Sequence, residues 1–380
     1  MLEKQKKPIR VCHLTSVHPY QDTRIYVKEC STLVGAGYET HLVANDAPNE
    51  VIEEIHLHSV PKIKQNRLLR MTKTVWHVYQ QALAIQADIY HFHDPELIPL
   101  GLLLLNQGKK VIYDIHEDVP RDILSKYWIP KIWRRMISWP VEKLENFAAK
   151  RFTAIVAATP FICDRFLKLG CFAVNVNNYP LLDELSLTNT SWEQKEAVVC
   201  YVGSITETRG IFEMIEAIGK TDNCLLLGGK FAYPDQQKKA VSMTGWANVK
   251  ELGWLGRKEV AQTLAKSMAG LVLLHPTVSL LDSLPVKMFE YMCAGIPVIA
   301  SNFPLWKKII ESNQCGICVD PQNPQAIATA IQWVINHPHE AKQMGDNARQ
   351  AIIETYNWEQ ESKVLLKLYK DISEQILTGL

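Results

Sequence analysis

Two short segments hold residues whose types and spacing suit phosphate chemistry. The first is Tyr201-Val-Gly203-Ser204-Ile-Thr-Glu-Thr-Arg209-Gly210, the form of a strand that breaks into a glycine-bounded loop with a cation at its end and a helical pattern, Ile211 to Ala217, behind it. Backbone N–H groups and a helix N-terminus favour an anion, and a guanidinium adds a charge-assisted contact. An ordinary strand-to-helix turn with a solvent-facing arginine fits the same residues. The spacing matches neither the dinucleotide fingerprint nor the P-loop, which weighs against dehydrogenase and kinase chemistry.

The second segment runs from Ser279 through Asp282, Ser283, Leu284, Pro285, Lys287 and Glu290 to Gly295-Ile-Pro297. Asp282 and Ser283 stand where helix caps are expected and Pro285 suits a first helical turn. A helix is therefore predicted to open at the C-terminal edge of a sheet, where open α/β sheets bind ligands. Lys287 in the first turn adds to the anion attraction of the helix end, and Glu290 lies one turn further along. A diphosphate at the helix end and a ribose diol at Glu290 are the expected occupants. The plainer alternative is a capped amphipathic helix with solvated charges.

A third constellation is rich in histidine. His91 and His93 alternate on one strand, Asp94 follows, and His116-Glu117 ends the next strand, which sketches a metal site for a hydrolase. Further ligands at short spacing are not evident. Cys315-Gly-Ile-Cys318, the single CxxC, has no second Cys or His pair near it and reads as plain strand.

The elements that must position these residues follow from the pattern of the chain. Strand candidates at Ile9–Leu14, Thr40–Val43, Ile89–Phe92, Val111–Ile115 and Ala154–Val156 alternate with amphipathic stretches, as in a parallel sheet wound with helices. The rhythm pauses at Asn177-Asn-Tyr-Pro180 and a polar stretch from Thr188 to Glu196 that reads as a linker. It resumes with Val198–Val202, Cys224–Leu227, Leu271–Leu274, Val298–Ala300 and Gly316–Val319. Length agrees: 380 residues suit two domains and a cleft between them. With 47% apolar and 21% charged residues the chain is globular, and a formal net charge of +1 argues against a surface given over to nucleic acid. Nine irregularly spaced cysteines read as reduced core residues. The charged start leads straight into a strand, and no apolar run reaches spanning length, so a cytoplasmic chain with at most peripheral membrane contact is expected.

Taken together, the two phosphate segments resemble the retaining glycosyltransferases of family 4 (group 1). Their second domain carries a glycine loop with an arginine and a lysine, and an acid-x7-acid motif followed by Ala-x-Gly-x-Pro-Val. The loop here is Gly203 to Gly210 and the acidic motif Asp282 to Glu290. Further landmarks are His18-Pro-Tyr-Gln-Asp22-Thr-Arg24, Gly35-Ala-Gly37, His91-Phe-His-Asp-Pro-Glu96, Tyr113-Asp-Ile-His116-Glu117, Asn178-Tyr-Pro and Asn357-Trp-Glu. The resemblance implies the GT-B fold: two facing Rossmann-like α/β domains with parallel sheets. They would comprise an acceptor domain over 1–187 and a donor domain over 196–361, with a terminal helix at about 362–380 able to pack back on the first.

The resemblance also implies roles. Arg209 falls on the loop lysine and binds the donor diphosphate, Glu290 binds the ribose, Asp282 reaches the donor sugar, and His116 faces the donor across the cleft. Gly203, Ser204, Gly210, Leu284 and Lys287 complete the donor-binding positions, and His116, Asp282, Arg209 and Lys287 the catalytic ones. No cofactor and no metal are implied, the nucleotide-sugar being a substrate. The histidines then read as hydrogen-bonders lining the cleft. Two departures stand out: Ser204 replaces a common arginine, with Lys287 a candidate replacement for the lost cation, and Asp282 is one methylene shorter than the usual glutamate.

The acceptor is expected to be a saccharide, plausibly lipid-linked, in surface polysaccharide synthesis. No acid occurs from Ile55 to Ala87, where Lys62, Lys64, Arg67, Arg70 and Lys73 fall. Ser125 to Pro140 again lacks acids and interleaves Trp128, Trp133 and Trp139 with cations. Such a segment suits an anionic membrane surface; a core-packed helix with a basic solvent side is the alternative. The rival functions are a nucleotide-sugar epimerase, a metal-dependent hydrolase and a non-catalytic sugar-binding protein.

Overall fold

The computed structural model describes residues 8–61, 70–126, 129–182, 185 and 191–378. The expected positions Lys62, Lys64, Arg67 and Trp128, and most of the stretch 183–190, lie outside them. The chain divides into two compact units, Met1–Asn178 with Glu359–Leu380, and Tyr179–Trp358. The first break thus falls nine residues before the expected 187, because Tyr179 and Leu185 are buried in the apolar core of the second unit. Nor is the start of the second domain a linker. Ser191 caps a short 3-10 turn, Trp192–Gln194, and Lys195 Nζ donates to the carbonyls of Ala265 and Ser267 at 2.9 and 3.0 Å.

The first unit is wound on an eight-stranded sheet in the order β3-β4-β2-β1-β5-β6-β7-β8. Its strands are β1 (Arg10–Pro19), β2 (Glu39–Asn45), β3 (Val51–Ile52), β4 (Ile55–Val60), β5 (Ile89–Phe92), β6 (Lys110–Ile115), β7 (Ala154–Ala157) and β8 (Ala173–Asn175). All pairings are parallel except β3 with β4. The second unit has six parallel strands in the order β11-β10-β9-β12-β13-β14. They are β9 (Val198–Val202), β10 (Cys224–Gly228), β11 (Val249–Gly253), β12 (Ala269–Val272), β13 (Val298–Ser301) and β14 (Gly316–Val319).

Strands such as β5, β7, β12 and β13 are buried along their whole length, in keeping with their mostly apolar composition in a sheet covered on both faces. Edge and peripheral strands escaped the sequence pattern because they need not be apolar: β4 alternates histidine with apolar residues, and β11 reads Val-Lys-Glu-Leu-Gly. The strand expected at Leu271–Leu274 begins two residues earlier, at Ala269. In both sheets the winding reverses direction beside the first strand, between β1 and β5 and between β9 and β12, which is where such sheets form ligand crevices. All nine cysteines are free, and Cys318 lies within β14. Among the described residues no helix is long and apolar enough to cross a membrane.

Candidate functional site

In the second unit the chain leaves β9 at Gly203, makes a 3-10 turn over Glu207–Arg209 and enters the helix Ile211–Ile218 through Gly210. Gly210 has φ 75°, and a Cβ there would stand 2.1 Å from the Leu273 carbonyl at the end of β12, so only glycine allows the two exits to touch. Two hydrogen bonds hold the loop: Tyr201 Oη donates to the Ser204 carbonyl at 2.7 Å, and His275 N–H donates to the Thr208 carbonyl at 2.9 Å.

The helix Val286–Cys293 supplies the other half. Its N-cap is Pro285, without a side-chain cap, so Asp282 and Ser283 are not the caps expected of them. Ser283 instead donates from Oγ to the Leu280 carbonyl and accepts the buried Trp306 indole N–H at 2.6 Å. That anchor moves the helix start three residues on and leaves Asp282 exposed on the loop, with Leu284 half-buried against the core.

Lys287 points inward rather than to solvent. It is 8% exposed, its Nζ lies 3.9 Å from the centre of the Tyr201 ring, and a Cβ on Gly203 would meet that Nζ at 3.0 Å and Arg209 Nη1 at 4.0 Å. Among the described residues Lys287 Nζ has no hydrogen-bond partner. Burial, with Arg209 adding repulsion, holds its pKa well below the usual lysine range, Glu290 pulling the other way. Gly203, Arg209 and Lys287 thus meet at the end of β9, with Glu290 one helical turn behind. An unpaired buried cation beside a guanidinium is costly by itself and suits a multiply charged anion.

Two partners of this site escaped the sequence. Arg257, 33 positions before Glu290, binds its carboxylate at 2.7 Å and fixes its direction. His275, just beyond β12, has its Nε2 3.2 Å from Glu213 Oε1, and that carboxylate raises its pKa against a smaller opposing effect of burial. No local spacing announces either pair, since the sheet order brings them together.

In the first unit His116 follows β6. Its Nε2 meets Asp114 Oδ2 at 2.9 Å and His93 Nδ1 at 3.3 Å, which leaves Nδ1 free among the described residues. Burial opposes the Asp114 charge, yet Arg24 and the histidines hold its carboxyl well below the usual range. Arg24 grips Asp114 with Nε and Nη2, both at 2.9 Å. His18 lies with its ring centre 5.3 Å from that of His116, tilted to it by 53°, and has a raised pKa: burial opposes this, but the bond to Asp22 and the charge of Asp94 prevail. His91 and His93 are 0% and 3% exposed and are hydrogen-bonded within the first unit. They sit mid-sheet under the C-terminal helix, where Tyr369 Oη lies 2.8 Å from His91 Nδ1.

The helix Lys131–Ala149 is not core-packed through its tryptophans. Trp133 and Trp139 are 53% and 64% exposed, beside exposed Ile132 and Met136, while Ser138, Glu145 and Ala148 face inward. Lys131 and Arg135 are exposed, whereas Arg134 is turned back to the Ile129 carbonyl at 2.7 Å.

Comparison with known proteins agrees with this architecture. The model of the glycosyl transferases group 1 family matches residues 186–351, and that of glycosyltransferase family 4 matches residues 25–176. D-rhamnosyltransferase WbpZ of Pseudomonas aeruginosa is 22% identical over 84% of this chain and 84% of its own length. A Campylobacter jejuni α-1,4-N-acetyl-D-galactosaminyltransferase, named for a diphospho-undecaprenol-linked saccharide, is 25% identical over 59% of this chain and 60% of its own. Among solved structures, sucrose-phosphate synthase of Thermosynechococcus elongatus superimposes with a TM-score of 0.77 at 17% identity, covering 96% of this chain and 99% of that one. HepE of Anabaena in complex with UDP and glucose gives 0.73 at 14% identity, covering 96% and 100%. With the group 1 model falling on the second parallel-sheet unit and the family 4 model on the first, the chain is a glycosyltransferase of the GT-B fold.

Proposed function

We propose that this glycosyltransferase moves a sugar, with retention at the anomeric carbon, from a nucleoside-diphosphate donor to a saccharide acceptor. The observation that carries the reading is the buried, unpartnered Lys287 ammonium beside Arg209 at the end of β9. When the anomeric C–O bond breaks, negative charge collects on the departing diphosphate, and in a partly desolvated site each close cation contributes on the order of several kcal/mol. Lys287, Arg209, the N–H groups of the Gly203–Gly210 loop and the N-terminus of the helix Val286–Cys293 act on those oxygens. Lys287 thereby fills the vacancy left by Ser204. Glu290, steered by Arg257, accepts the ribose hydroxyls, and Asp282 and His116 serve the sugar. The Anabaena neighbour was crystallised with UDP and glucose, which supports a nucleotide donor here.

A lipid-linked acceptor in surface polysaccharide assembly accords with the name of the Campylobacter relative and with the exposed Trp133–Trp139 face, whose indoles and cations fit an anionic membrane surface on the cytoplasmic side. No divalent ion is assigned to the transfer step. The test is a panel of nucleotide-sugars assayed for thermal stabilisation and for nucleotide release with and without acceptor, in excess chelator. Stabilisation by one donor and acceptor-dependent release support the reading. Release that proceeds equally without acceptor, or prompt loss of activity in chelator with rescue by added Mg²⁺ or Mn²⁺, overturns it.

A further inference from the structure

The first unit holds a second constellation, which meets the proposed transfer residue His116 through His93. Strand pairing sets His13 of β1 opposite His91 of β5, and His93 follows on the same face as His91. The three rings lie 4.7, 4.8 and 5.2 Å apart and are buried. Glu29 enters from the π-helical turn Thr23–Cys30, whose wide i→i+5 winding brings Arg24 and Glu29 to the same inward side. Glu29 Oε2 stands 3.7 Å from His13 Nδ1, 3.9 Å from His93 Nε2 and 4.0 Å from His91 Nδ1, and His13 Nδ1 is 2.9 Å from His93 Nε2. A tetrahedral centre with bonds of about 2.0–2.1 Å needs ligand atoms about 3.3 Å apart, within the range of these separations.

Three features separate this cluster from a self-satisfied polar network. His93 Nδ1 meets Asp114 Oδ2 at 3.1 Å; because a carboxylate only accepts, the proton sits on Nδ1 and the Nε2 lone pair faces the cluster. This is the carboxylate–histidine relation that orients metal-bound imidazoles. Next, the fully buried Glu29 gives one oxygen, Oε1, to Arg24 Nε at 3.0 Å and turns the other, Oε2, to the three imidazoles, and His91 Nε2 has no hydrogen-bond partner among the described residues. Finally, the buried carboxylates Glu29 and Asp114 share the single guanidinium of Arg24, at 3.0 and 2.9 Å. A divalent ion would relieve that excess of negative charge. The alternative set His93, Asp114 and His116 is weaker, since Arg24 already occupies both oxygens of Asp114.

We infer that His13, Glu29, His91 and His93 form a buried site for one first-row transition cation, zinc by the character of three imidazoles and a carboxylate. Its role is structural. It ties β1, β5 and the turn Thr23–Cys30 beneath the helix Trp358–Thr378, whose Tyr369 hydroxyl lies 2.8 Å from His91 Nδ1 and 3.4 Å from His13 Nε2.

The test uses the full chain purified without a histidine tag and without a metal column. Expressed or refolded with zinc, it should carry about one equivalent per chain that resists chelator in the native state and is released on unfolding. Refolded without metal it should melt several degrees lower. Refolded with Co²⁺ it should show the intense visible bands of a tetrahedral nitrogen–oxygen site. His93→Ala and Glu29→Gln should lose the ion. Should either variant fail to fold, the wild-type cobalt spectrum and stoichiometry decide alone. Less than about a tenth of an equivalent after refolding with excess zinc, metal stripped by a brief chelator wash, or an octahedral cobalt spectrum overturns the site.

Discussion

The crevice beside β1 and the crevice beside β9 have the same strand order around them and opposite electrostatics within them. Within β1 an internal anion already occupies the position: Asp94 Oδ2 accepts from Ser16 N–H and Thr15 Oγ1, both at 2.7 Å. At the end of β9, among the described residues, no carboxylate bonds in the same way, and Lys287 Nζ has no hydrogen-bond partner. On the proposed reading, one crevice is filled by its own side chains and the other takes the charge of a ligand. A shared topology therefore fixes where a ligand could bind, while local charge decides which crevice can accept one.

The sharpest way to break this contrast is Lys287→Met. If Lys287 serves only the ligand, turnover should fall by about a hundredfold while the free protein melts at a higher temperature, because a buried polar group without a partner is removed. Arg209→Ala should lower turnover comparably, without that gain in stability. Unchanged turnover in both variants, with normal circular dichroism, would return these residues to an ordinary helix and turn. Asp94→Ala should do the reverse in the first unit. It should destabilise by about 2–3 kcal/mol in denaturant melts, since it leaves buried donors unpaired.

A smaller effect tests the vacancy at Ser204. In a double-mutant cycle, Ser204→Arg should restore about tenfold of the activity lost in Lys287→Ala and add little to the wild type. No rescue would show that the two positions do not share a task.

The pH dependence follows from the depressed pKa of Lys287. In the free protein the unfolded chain holds its proton to higher pH, so stability from this group rises with pH between the folded and unfolded values. A bound diphosphate favours the ammonium, so donor binding takes up a proton and affinity falls as pH rises through the depressed value. Calorimetry in buffers of different ionisation enthalpy reads that proton directly. The smallest effect is at the helix Lys131–Ala149: Trp133→Ala with Trp139→Ala should weaken binding to anionic vesicles several-fold and leave turnover of free donor unchanged, both side chains being solvent-exposed. Equal binding of the wild type to neutral and anionic vesicles would count against the membrane reading.

Sequence alone determined the alternation of apolar strands with amphipathic helices, hence the class of fold, and the order of the two phosphate segments, Gly203–Gly210 and Asp282–Glu290. Both signals are local, carried by hydrophobic period and by glycine and proline placement. The tertiary structure decided what side chains meet. Arg257 reaches Glu290, and Lys287 lies under Gly203, because β9 and β12 are neighbours although 66 residues separate Val202 from Ala269. His91 and His93 looked short of ligands because their partners His13 and Glu29 come from far along the chain, one across a strand pairing and one through a π-helical turn that no periodicity reveals. Burial was equally hidden. A lysine on an exposed helix and one sealed over a tyrosine ring have the same neighbours in sequence, and only the packing of Tyr201 and Trp306 fixes which way Lys287 points.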